Sequence, residues 1–401
     1  MPHSNTYDMI VVGAGISGLT LANKIAKSGK KVLVLESKEK VGGCLNTHYH
    51  ANNDFWVEMG AHTFYATYAN LIQLLQSNGL ESDIVAREKV GMKVFTDQHE
   101  KIFSKIGKFE LLTSVPNLFF SKRDGKTVKE YFSKIVGKKN YDKLFTRMFS
   151  AVIVQNADNF TAEYFLKKRN TKSKEHPKSF ILKKGMQSFM ERLAESENIK
   201  VLTKQTVVSI KKEKEVSVTT EGGELFTAKD IAFAVSPELV ASMVSEINPK
   251  LSERLTEFPT QNIISRGNVL AKEKVNFEPV SFVIPLQGPC FSMVTRDVLS
   301  HNESRGFAFH FEDGKISNEE QEQFMSELLG IEKAEVGDTI EATHKLPLLT
   351  LGHKERIQEI QDLSEQEGIY LCGNYFNGLS LEDCVERSVN EFERYCKNYK
   401  L

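Results

Sequence analysis

The chain has 401 residues and a mass of 45.4 kDa, more than one compact core usually holds, so we expect two domains. Its 52 Lys and Arg nearly cancel its 53 Asp and Glu, and the formal charge of −1 argues against a protein that binds nucleic acid through a basic field. With 40% hydrophobic and 26% charged residues, the composition is that of a globular protein and excludes wholesale disorder.

Signals for membrane insertion, export and metal binding are weak. No apolar run approaches the roughly 20 residues that a bilayer-spanning helix needs. Residues Met1–Asp8 are polar and show no signal or transit peptide. His48 and His50 have only Asp54 nearby as a further ligand, so we do not expect a metal site. The five cysteines are widely spaced, without a C-x-x-C pair, so we expect reduced thiols and a soluble, cytoplasmic protein.

The first predicted elements form a β-α-β unit. Residues 9–12 are a continuous apolar run, as in a strand buried on both faces of a parallel sheet. They lead into the glycine-rich sequence at residues 13–18, and apolar residues then recur at helical spacing over 19–26. A second apolar strand, Val32–Leu35, ends at Glu36.

The pattern Gly13-x-Gly15-x-x-Gly18 in this context predicts a dinucleotide site. Gly13 permits the tight turn, Gly15 lets the backbone approach a pyrophosphate, and Gly18 lets helix and strand pack closely. The helix N-terminus adds N–H donors and a favourable dipole. Glu36, 18 residues after Gly18, is placed to accept hydrogen bonds from ribose hydroxyls, and its charge disfavours the 2′-phosphate of NADP.

The rest of the chain differs in character. Residues 89–178 are rich in Lys and Phe and predict amphipathic helices. A helix is expected over 183–196, followed by short strands within 200–235. A strand at 368–372 and a helix at 381–399 end the sequence.

Three further turns favour FAD over NAD. Val41-Gly42-Gly43 directly follows the ribose acid, and its bare backbone could press against a cofactor. The turn Glu58-Met59-Gly60-Ala61-His62 comes next. Gly373-Asn374 again places a strand end before a helix start, where N–H groups could face a pyrophosphate or a flavin carbonyl. A domain that binds only NAD needs none of these extra turns.

These motifs resemble those of the flavin amine oxidase superfamily, through Val11–Gly18, Glu36, Val41–Gly43 and Gly60–Ala61. Within it, the chain is most similar to protoporphyrinogen oxidases of haem synthesis. Amine oxidases usually carry an acid where Asn374 stands, which favours the porphyrinogen branch. The narrower resemblance is carried by Pro177–Phe180, Lys184–Gln187, Leu346–Ile360 and Gly373–Val385.

The resemblance implies an α/β fold with a discontinuous, Rossmann-like FAD-binding domain and an inserted, mixed α+β substrate domain. We expect the FAD-binding domain to comprise residues 1–88, 178–240 and 346–401. The substrate domain, with a helical insertion, would comprise 89–177 and 241–345.

The motifs and the resemblance together imply a set of cofactor-binding residues, whereas no catalytic residue is assigned and His62 and His353 stay open as general bases. The family usually carries Arg at the position of Cys44, where it helps to hold the pyrophosphate. Members of the porphyrinogen branch are also usually longer, and the shortfall lies in the middle of this chain. The cofactor-binding set is Gly13, Gly15, Ile16, Ser17, Gly18, Glu36, Ser37, Gly42, Gly43, Cys44, Gly60, Ala61, His62, Val207, Gly373, Asn374, Leu379, Ser380 and Leu381.

The implied activity is hydride transfer from a small molecule to flavin N5, with dioxygen reoxidising the flavin to give hydrogen peroxide. The preferred substrate is protoporphyrinogen or coproporphyrinogen. An amine oxidase or a desaturase of a secondary metabolite is an alternative, and a redox-neutral flavoprotein with a mutase-like or binding role is another.

Aromatic and basic residues suggest where such a substrate would bind. The phenylalanines of Asn117–Phe120 and Arg147–Phe149 could line its pocket, with Arg147 or Arg169 binding a carboxylate, although an ordinary core gives the same pattern. Tyr375 and Phe376 could stack near the flavin.

The same central region offers a possible membrane contact. Leu118-Phe119-Phe120, followed by Lys122-Arg123, would suit a peripheral contact with the inner face of a membrane. A buried helix end with a solvated basic tip explains the pattern equally well.

Overall fold

The structure is a computed structural model that describes residues 7–50 and 55–401. Asp54 and most of the polar stretch Met1–Asp8 lie outside the described residues. Within the described ranges, no helix combines the length and the apolar character needed to cross a membrane. The five cysteines are all free thiols.

The chain forms nineteen β-strands in its described part, many of them short. In chain order they are β1 (Tyr7–Val12), β2 (Val32–Leu35), β3 (Thr47–His50), β4 (Phe55–Glu58), β5 (Phe64–Tyr65), β6 (Ile84–Ala86), β7 (Gly91–Phe95), β8 (His99–Lys101), β9 (Ser179–Leu182), β10 (Ile199–Leu202), β11 (Val207–Lys212), β12 (Val216–Thr220), β13 (Leu225–Phe233), β14 (Thr260–Ala271), β15 (Val280–Pro285), β16 (Cys290–Thr295), β17 (Ser304–Glu312), β18 (Ile340–Pro347) and β19 (Tyr370–Leu371).

Twelve α-helices accompany these strands in the described residues, with short 3₁₀ turns and one π-helical turn between some of them. The helices are α1 (Ile16–Lys27), α2 (Ala69–Ser77), α3 (Lys108–Ser114), α4 (Val128–Val136), α5 (Lys138–Asn140), α6 (Thr146–Ile153), α7 (Gln187–Ala194), α8 (Pro237–Val244), α9 (Pro249–Thr256), α10 (Asn318–Leu329), α11 (His353–Gln366) and α12 (Leu381–Tyr399).

The first sheet has the order β10-β2-β1-β13-β12-β11, with β19 also paired to β13. Strands β10, β2, β1, β13 and β19 run parallel, and β11 and β12 add an antiparallel ribbon. Because successive side chains of a strand point to opposite faces, Met9 and Val11 enter one core, and Ile10 and Val12 enter the other. Strands from both ends of the chain therefore share one sheet that is buried on both faces.

Helices cover both faces of this sheet. Helices α1, α2, α7 and α12 contribute to one core, and α8, α9 and α11 to the other. The α/β fold and the β-α-β unit at the start are confirmed, whereas the division into two discontinuous domains stays a prediction.

The second sheet has seven strands in the order β18-β14-β17-β16-β15-β7-β8. Its first strands are antiparallel neighbours, and β7 pairs in parallel with β15. The sequence prediction of amphipathic helices within 89–178 is therefore wrong at both ends. Residues 91–101 form a hairpin on this sheet, and no helix forms in the described residues between the end of α6 at Ile153 and residue 178. The partner of β7 lies almost 190 residues away in the sequence, and local periodicity does not reveal it.

The predicted helical region begins after that hairpin. Helices α4 and α6 and the π-helical turn Tyr141–Phe145 pack around a core of their own, which also receives Leu349 from beyond β18. A three-stranded sheet, β5-β9-β6, and the β3-β4 hairpin complete the fold beside the first sheet.

Candidate functional site

The turn between β1 and α1 accepts only glycine at two positions. Gly13 has a φ of +103°, and a Cβ there would lie 2.7 Å from the carbonyl oxygen of Ala234. A Cβ on Gly18 would lie 2.0 Å from the carbonyl oxygen of Gly13, so α1 could not approach β1. The N–H of Gly13 donates to the carbonyl of Leu35 at 2.8 Å, which joins the turn to the end of β2. The first and last glycines of the motif therefore build the turn itself.

The N-terminus of α1 is open. Its N-cap residue is Gly15, no side chain caps the first turn, and no acidic residue lies in it. The N–H groups that begin the helix at Ile16 and Ser17, together with the helix dipole, therefore favour an anion such as a pyrophosphate. Helix α12 supports this turn, because the hydroxyl of Ser388 donates to the carbonyl of Ser17.

Glu36 lies beside the turn, at the end of β2. Its Oε2 accepts a hydrogen bond from the N–H of Ala14 at 2.8 Å, and its Oε1 accepts one from the N–H of Lys38 at 2.9 Å. The side chain is only partly buried. Oε2 retains a second lone pair for a ribose hydroxyl, whereas the hydroxyl of Ser37 also donates to Oε1 at 3.4 Å. The neighbouring Ser37 is exposed.

The second glycine pair lies directly against the first turn. The N–H of Gly42 donates to the carbonyl of Ala14 at 2.9 Å, and Gly15 and Gly42 form a parallel bridge. A Cβ on Gly43 would lie 3.2 Å from the Cα of Gly15. The two segments approach so closely because they carry no side chains there, and Gly43 stays exposed beside the N-terminus of α1.

Cys44 stands where the resemblance implies an arginine, and it interacts with His344 of β18. Burial opposes ionisation of the thiol, but the hydrogen bond and charge of His344 hold the pKa of Cys44 below its usual range, and Lys38 adds to this effect. Burial also opposes the imidazolium, yet Cys44 and the carbonyl of Met59 raise the pKa of His344. The Nε2 of His344 lies 2.7 Å from that carbonyl oxygen. Residue 44 thus contributes no cation of its own.

Residues 60–62 form the turn that packs against the backbone of Cys44. A Cβ on Gly60 would lie 2.2 Å from the carbonyl oxygen of Cys44, and the N–H of Ala61 donates to the same oxygen at 2.9 Å. Burial, assisted by the positive charge of Arg87, lowers the pKa of His62 to about 4. His62 is therefore neutral at pH 7.

A buried carboxyl group precedes this turn. Glu58 accepts hydrogen bonds from the N–H of Met186 at 2.7 Å and the hydroxyl of Thr47 at 2.9 Å. Burial raises the pKa of Glu58 to about 7. Glu58 and His62 both face a cavity of about 20 Å³, which has room for one water molecule. The other lining residues are Trp56, Val57, Ile181, Val294, Thr295, Arg296 and Val298.

The C-terminal turn differs from the N-terminal one. Gly373, with a φ of +153°, and the partly buried Asn374 lie at the end of β19, close to β13. The N-cap residue of α12 is Ser380, which forms a capping box with Asp383. Arg169 donates to both side chains, at 2.8 and 2.9 Å. Side chains of the protein thus already cap the N-terminus of α12, the second helix N-terminus that the sequence suggested for the cofactor.

Three predicted cofactor residues have mainly apolar surroundings. Val207, at the start of β11, is buried in the core below the first sheet. Leu381 is buried in the core that contains α1. Leu379 packs against the helical core. Their part in binding a cofactor stays a prediction.

The expectation that Tyr375 and Phe376 stack near the flavin is wrong. Each ring is only 1% exposed. They belong to the core that contains α8, α9 and α11, where Tyr375 contacts Phe258. The guanidinium of Arg387 lies 3.9 Å from the centre of the Phe376 ring. Neither ring has an accessible face.

The expected substrate pocket is also not formed as the sequence suggested. Arg147 donates to backbone carbonyls of the second sheet, at 2.9 and 2.6 Å, and Arg169 is bound to Asp383. Phe149 is buried in the helical core, whereas Phe119 and Phe120 face outward. Both arginines therefore have structural partners.

Arg87 is a cation that the sequence reasoning missed. Its Nε is buried and finds no hydrogen-bond partner in the described part of the chain. Its backbone N–H donates to Ser179 of β9, and Val85, two residues earlier, pairs with Ile181. Because alternate residues share a face, the side chain of Arg87 lies on the face of Val85 and Ile181, and Ile181 lines the cavity beside His62. No sequence signal marks Arg87.

A polar strip on the second sheet was missed as well. Ser265, His310 and Ser292 occupy opposed positions on three adjacent strands, so they share one face. The hydroxyl of Ser265 lies 2.8 Å from Nδ1 of His310, and burial lowers the pKa of His310 to about 3. The Ser292 hydroxyl is buried without a partner among the described residues. His344 projects from the same face, because its partner Ile263 lies two residues from Ser265.

The residues around α1 fit a dinucleotide. An uncapped helix N-terminus, two bare glycine segments and a partly exposed Glu36 carboxylate lie together at one edge of the first sheet. A pyrophosphate would meet N–H groups there, and a ribose would meet the carboxylate. Binding by the individual predicted residues stays a prediction.

Comparison with known proteins agrees with this arrangement. Residues 16–272 match the family described as "Flavin containing amine oxidoreductase". The L-amino-acid oxidase of Echis ocellatus is 27% identical over 168 residues, which are 42% of this chain and 32% of that protein. This alignment thus spans about a third of the relative's length.

Solved structures extend the likeness to the whole chain. A protein of Exiguobacterium sp. 255-15, provisionally named a protoporphyrinogen oxidase, superposes with a TM-score of 0.79 over 98% of this chain and all of that chain, at 19% identity. Cyclohexylamine oxidase of Brevibacterium oxydans IH-35A gives a TM-score of 0.70 over 99% of this chain and all of that chain, at 14% identity. At such identities the likeness shows the fold.

Proposed function

Because this chain belongs to the family of flavin-containing amine oxidoreductases, we propose that it is an FAD-dependent oxidase of a porphyrinogen. The family match confirms the predicted superfamily and the FAD cofactor. In each round, the porphyrinogen would lose one hydride and one proton. Dioxygen would accept the electron pair and two protons and be released as hydrogen peroxide. When bound, FAD supplies the hydride acceptor and passes the electron pair on to dioxygen.

The chain's own residues would bind and orient this cofactor. The open N-terminus of α1 would bind the pyrophosphate, and Glu36 would hold the ribose. The glycine pair 42–43 leaves the backbone bare next to both groups. With Cys44 in place of an arginine, the pyrophosphate charge is met by backbone N–H groups and the helix dipole, with Lys38 as the nearby cation.

The burial of Tyr375 and Phe376 is the observation that carries the choice of substrate. Both rings follow Asn374 and are enclosed in the core, so this turn offers an amine neither a carboxylate nor an aromatic face. The full-length likeness to the Exiguobacterium protein supports the same choice, through the name that protein carries.

Arg87 supplies the cation that a porphyrinogen carboxylate requires. A buried guanidinium nitrogen without a partner is costly, and an anionic ligand that accepts from the Nε of Arg87 would remove that cost. His62 is neutral at pH 7, so the cations near this cavity are Arg296, which lines it, and Arg87, whose charge acts on His62.

An amino-acid oxidase is the second candidate. It is favoured by the match to the L-amino-acid oxidase of Echis ocellatus, and an α-carboxylate would also satisfy Arg87.

Anaerobic reduction of the bound flavin tests the proposal. The purified holoprotein would be mixed in the absence of oxygen with protoporphyrinogen, coproporphyrinogen, a panel of L-amino acids and a panel of amines. We expect the porphyrinogens alone to bleach the flavin absorbance, and readmitted oxygen to restore it with release of hydrogen peroxide. Bleaching by an amino acid or an amine instead would favour the second candidate, and no bleaching by any compound would favour a redox-neutral role.

A further inference from the structure

The most exposed large apolar side chains of the described residues lie in one short segment, 103–120, here called the apolar patch. Its most prominent members are more exposed than any other large apolar side chain in the described residues, the next being Leu225 at 66%. These members are Phe103 at 79%, Phe109 at 82%, Leu112 at 75%, Phe119 at 82% and Phe120 at 84%.

The segment has an inner and an outer apolar face. Ile102 and Ile106 pack against the core around Val94 and Ile284, and Leu111 packs against the helical core. The helix α3 and the 3₁₀ turn Val115–Phe119 thus already have an anchoring side. The exposed side chains of the patch belong to the same segment, and none of the elements in the described residues covers them, so their exposure needs another explanation.

The patch is set in a strongly basic stretch. Residues 101–139 contain ten Lys and Arg but only three Asp and Glu, although the whole chain is nearly neutral. Lys108 within the segment, and Lys101 and Lys122 on either side of it, are exposed. Glu110, the one acid within residues 103–120, already accepts the N–H groups of Lys139 and Asn140 at 2.9 Å. Exposed positive charge therefore surrounds the aromatic side chains.

We propose that the apolar patch docks onto an anionic phospholipid surface. Phenylalanine and leucine side chains would enter the boundary between headgroups and acyl chains, and the surrounding lysines would meet the lipid phosphates. A second copy of the chain fits less well, because pairing two patches would bring two basic rims together. Protein interfaces are also depleted in lysine, which here surrounds the patch. This docking is independent of the proposed substrate.

Vesicle co-sedimentation tests the docking. The holoprotein would be spun with vesicles of phosphatidylcholine alone or of phosphatidylcholine mixed with phosphatidylglycerol. We expect binding to the anionic vesicles that weakens as salt is raised, and little binding to the neutral ones. The double variant Phe119→Ser/Phe120→Ser should lower the partition coefficient at least tenfold. The matched control Leu225→Ser/Leu239→Ser, which removes exposed apolar side chains elsewhere, should bind like the wild type.

Two further measurements keep the result decisive. Because the rings of Phe119 and Phe120 are exposed, we expect their replacement to leave the fold intact. Flavin content and melting temperature would check this. Lys108→Gln/Lys122→Gln should weaken binding to anionic vesicles and leave any residual binding less sensitive to salt. The proposal is overturned if wild-type protein ignores anionic vesicles or if the phenylalanine variant binds as well. It is also overturned if light scattering finds a dimer that this variant dissociates.

Discussion

The hydroxyl of Ser388 in α12 donates a hydrogen bond to the carbonyl oxygen of Ser17 in α1, over 2.9 Å and 371 residues of sequence. Both side chains are buried. The bond places the C-terminal helix directly behind the first turn of α1. The two ends of the chain therefore meet beside the glycine-rich turn that follows β1.

Replacing Ser388 by alanine should destabilise the fold by about 0.5–1.5 kcal/mol, because it removes a buried hydroxyl that lies 2.9 Å from the carbonyl oxygen of Ser17 and 3.0 Å from that of Cys384. Urea unfolding followed by circular dichroism measures this change. Ser242→Ala is the matched control, since its hydroxyl bonds only to the nearby carbonyl of Leu239 on an exposed surface. We expect that variant to stay within about 0.5 kcal/mol of wild type.

The glycine at position 18 should be irreplaceable. Gly18→Ala would place a Cβ 2.0 Å from the carbonyl oxygen of Gly13, and neither backbone can move without opening the turn. We expect a loss of at least about 3 kcal/mol and failure to retain FAD. Gly91→Ala, where no neighbouring atom lies within 4 Å, controls for the added methyl group. Normal flavin content in Gly18→Ala would contradict the geometry described for the turn.

The carboxylate of Glu36 should set the affinity for FAD. Glu36→Gln removes the charge that accepts the N–H groups of Ala14 and Lys38 and is placed for the ribose. Hydrogen bonds to a charged group are worth about 1.5–3 kcal/mol, so the Kd for FAD should rise at least about tenfold. Fluorescence titration of apoprotein with FAD measures it. Glu39→Gln, at an exposed pair with Lys204, should leave the Kd unchanged.

Burial should make stability depend on pH through His353. This side chain is 1% exposed, its Nε2 lies 3.2 Å from the carbonyl oxygen of Phe376, and burial lowers its pKa to about 4. The unfolded chain, with a histidine pKa of about 6.5, binds more protons between these values. The contribution of the neutral His353 imidazole to the free energy of unfolding is therefore complete above pH 6.5 and is lost as pH falls toward 4.

Between pH 7 and pH 4, the free energy of unfolding should fall by as much as about 3 kcal/mol less in His353→Gln than in the wild type. Urea unfolding at several pH values measures the slope. His50→Gln, at an exposed position, should keep the wild-type slope. An unchanged slope in His353→Gln would show that this imidazole is not held neutral by the fold.

Local patterns were enough to predict the elements around the glycine-rich turn. The apolar run of β1, the glycines of the following turn and the helical spacing of α1 are adjacent in sequence, and each reflects one local constraint. Helix α12 was predicted over Leu381–Tyr399, as observed, because its pattern is long and regular. The side chains that complete the site were harder, since their roles depend on partners far away.

Arg147 and Arg87 show where sequence reasoning failed. Both are basic residues in the first half of the chain, and nothing local distinguishes them. The fold brings Arg147 to the carbonyls of Pro285 and Cys290, whereas the buried Nε of Arg87 meets no acceptor among the described residues. Which arginine is available to a ligand is thus decided by the pairing of distant strands. Tyr375 was misjudged for the same reason. Its sequence context suggests a cofactor contact, but distant parts of the chain bury it in the core.

Arg87 should anchor a substrate carboxylate. If so, Arg87→Gln should raise KM for a porphyrinogen at least tenfold and change kcat little, since the anchor lies away from the reacting carbon. Arg87→Lys should recover part of the loss, because it keeps the charge but not the paired N–H geometry. Arg192→Gln, at an exposed pair with Glu195, is the matched control.

Equilibrium binding separates this anchoring role from a structural one. Wild-type holoprotein should bind protoporphyrin, with its two free carboxylates, at least tenfold more tightly than protoporphyrin dimethyl ester, as measured by quenching of porphyrin fluorescence. Arg87→Gln should bind the two forms equally, because the ester has no charge to lose. A variant that still prefers the free acid would assign the carboxylate to another cation. The bleaching experiment would still test the porphyrinogen assignment, because it does not depend on which residue binds the carboxylate.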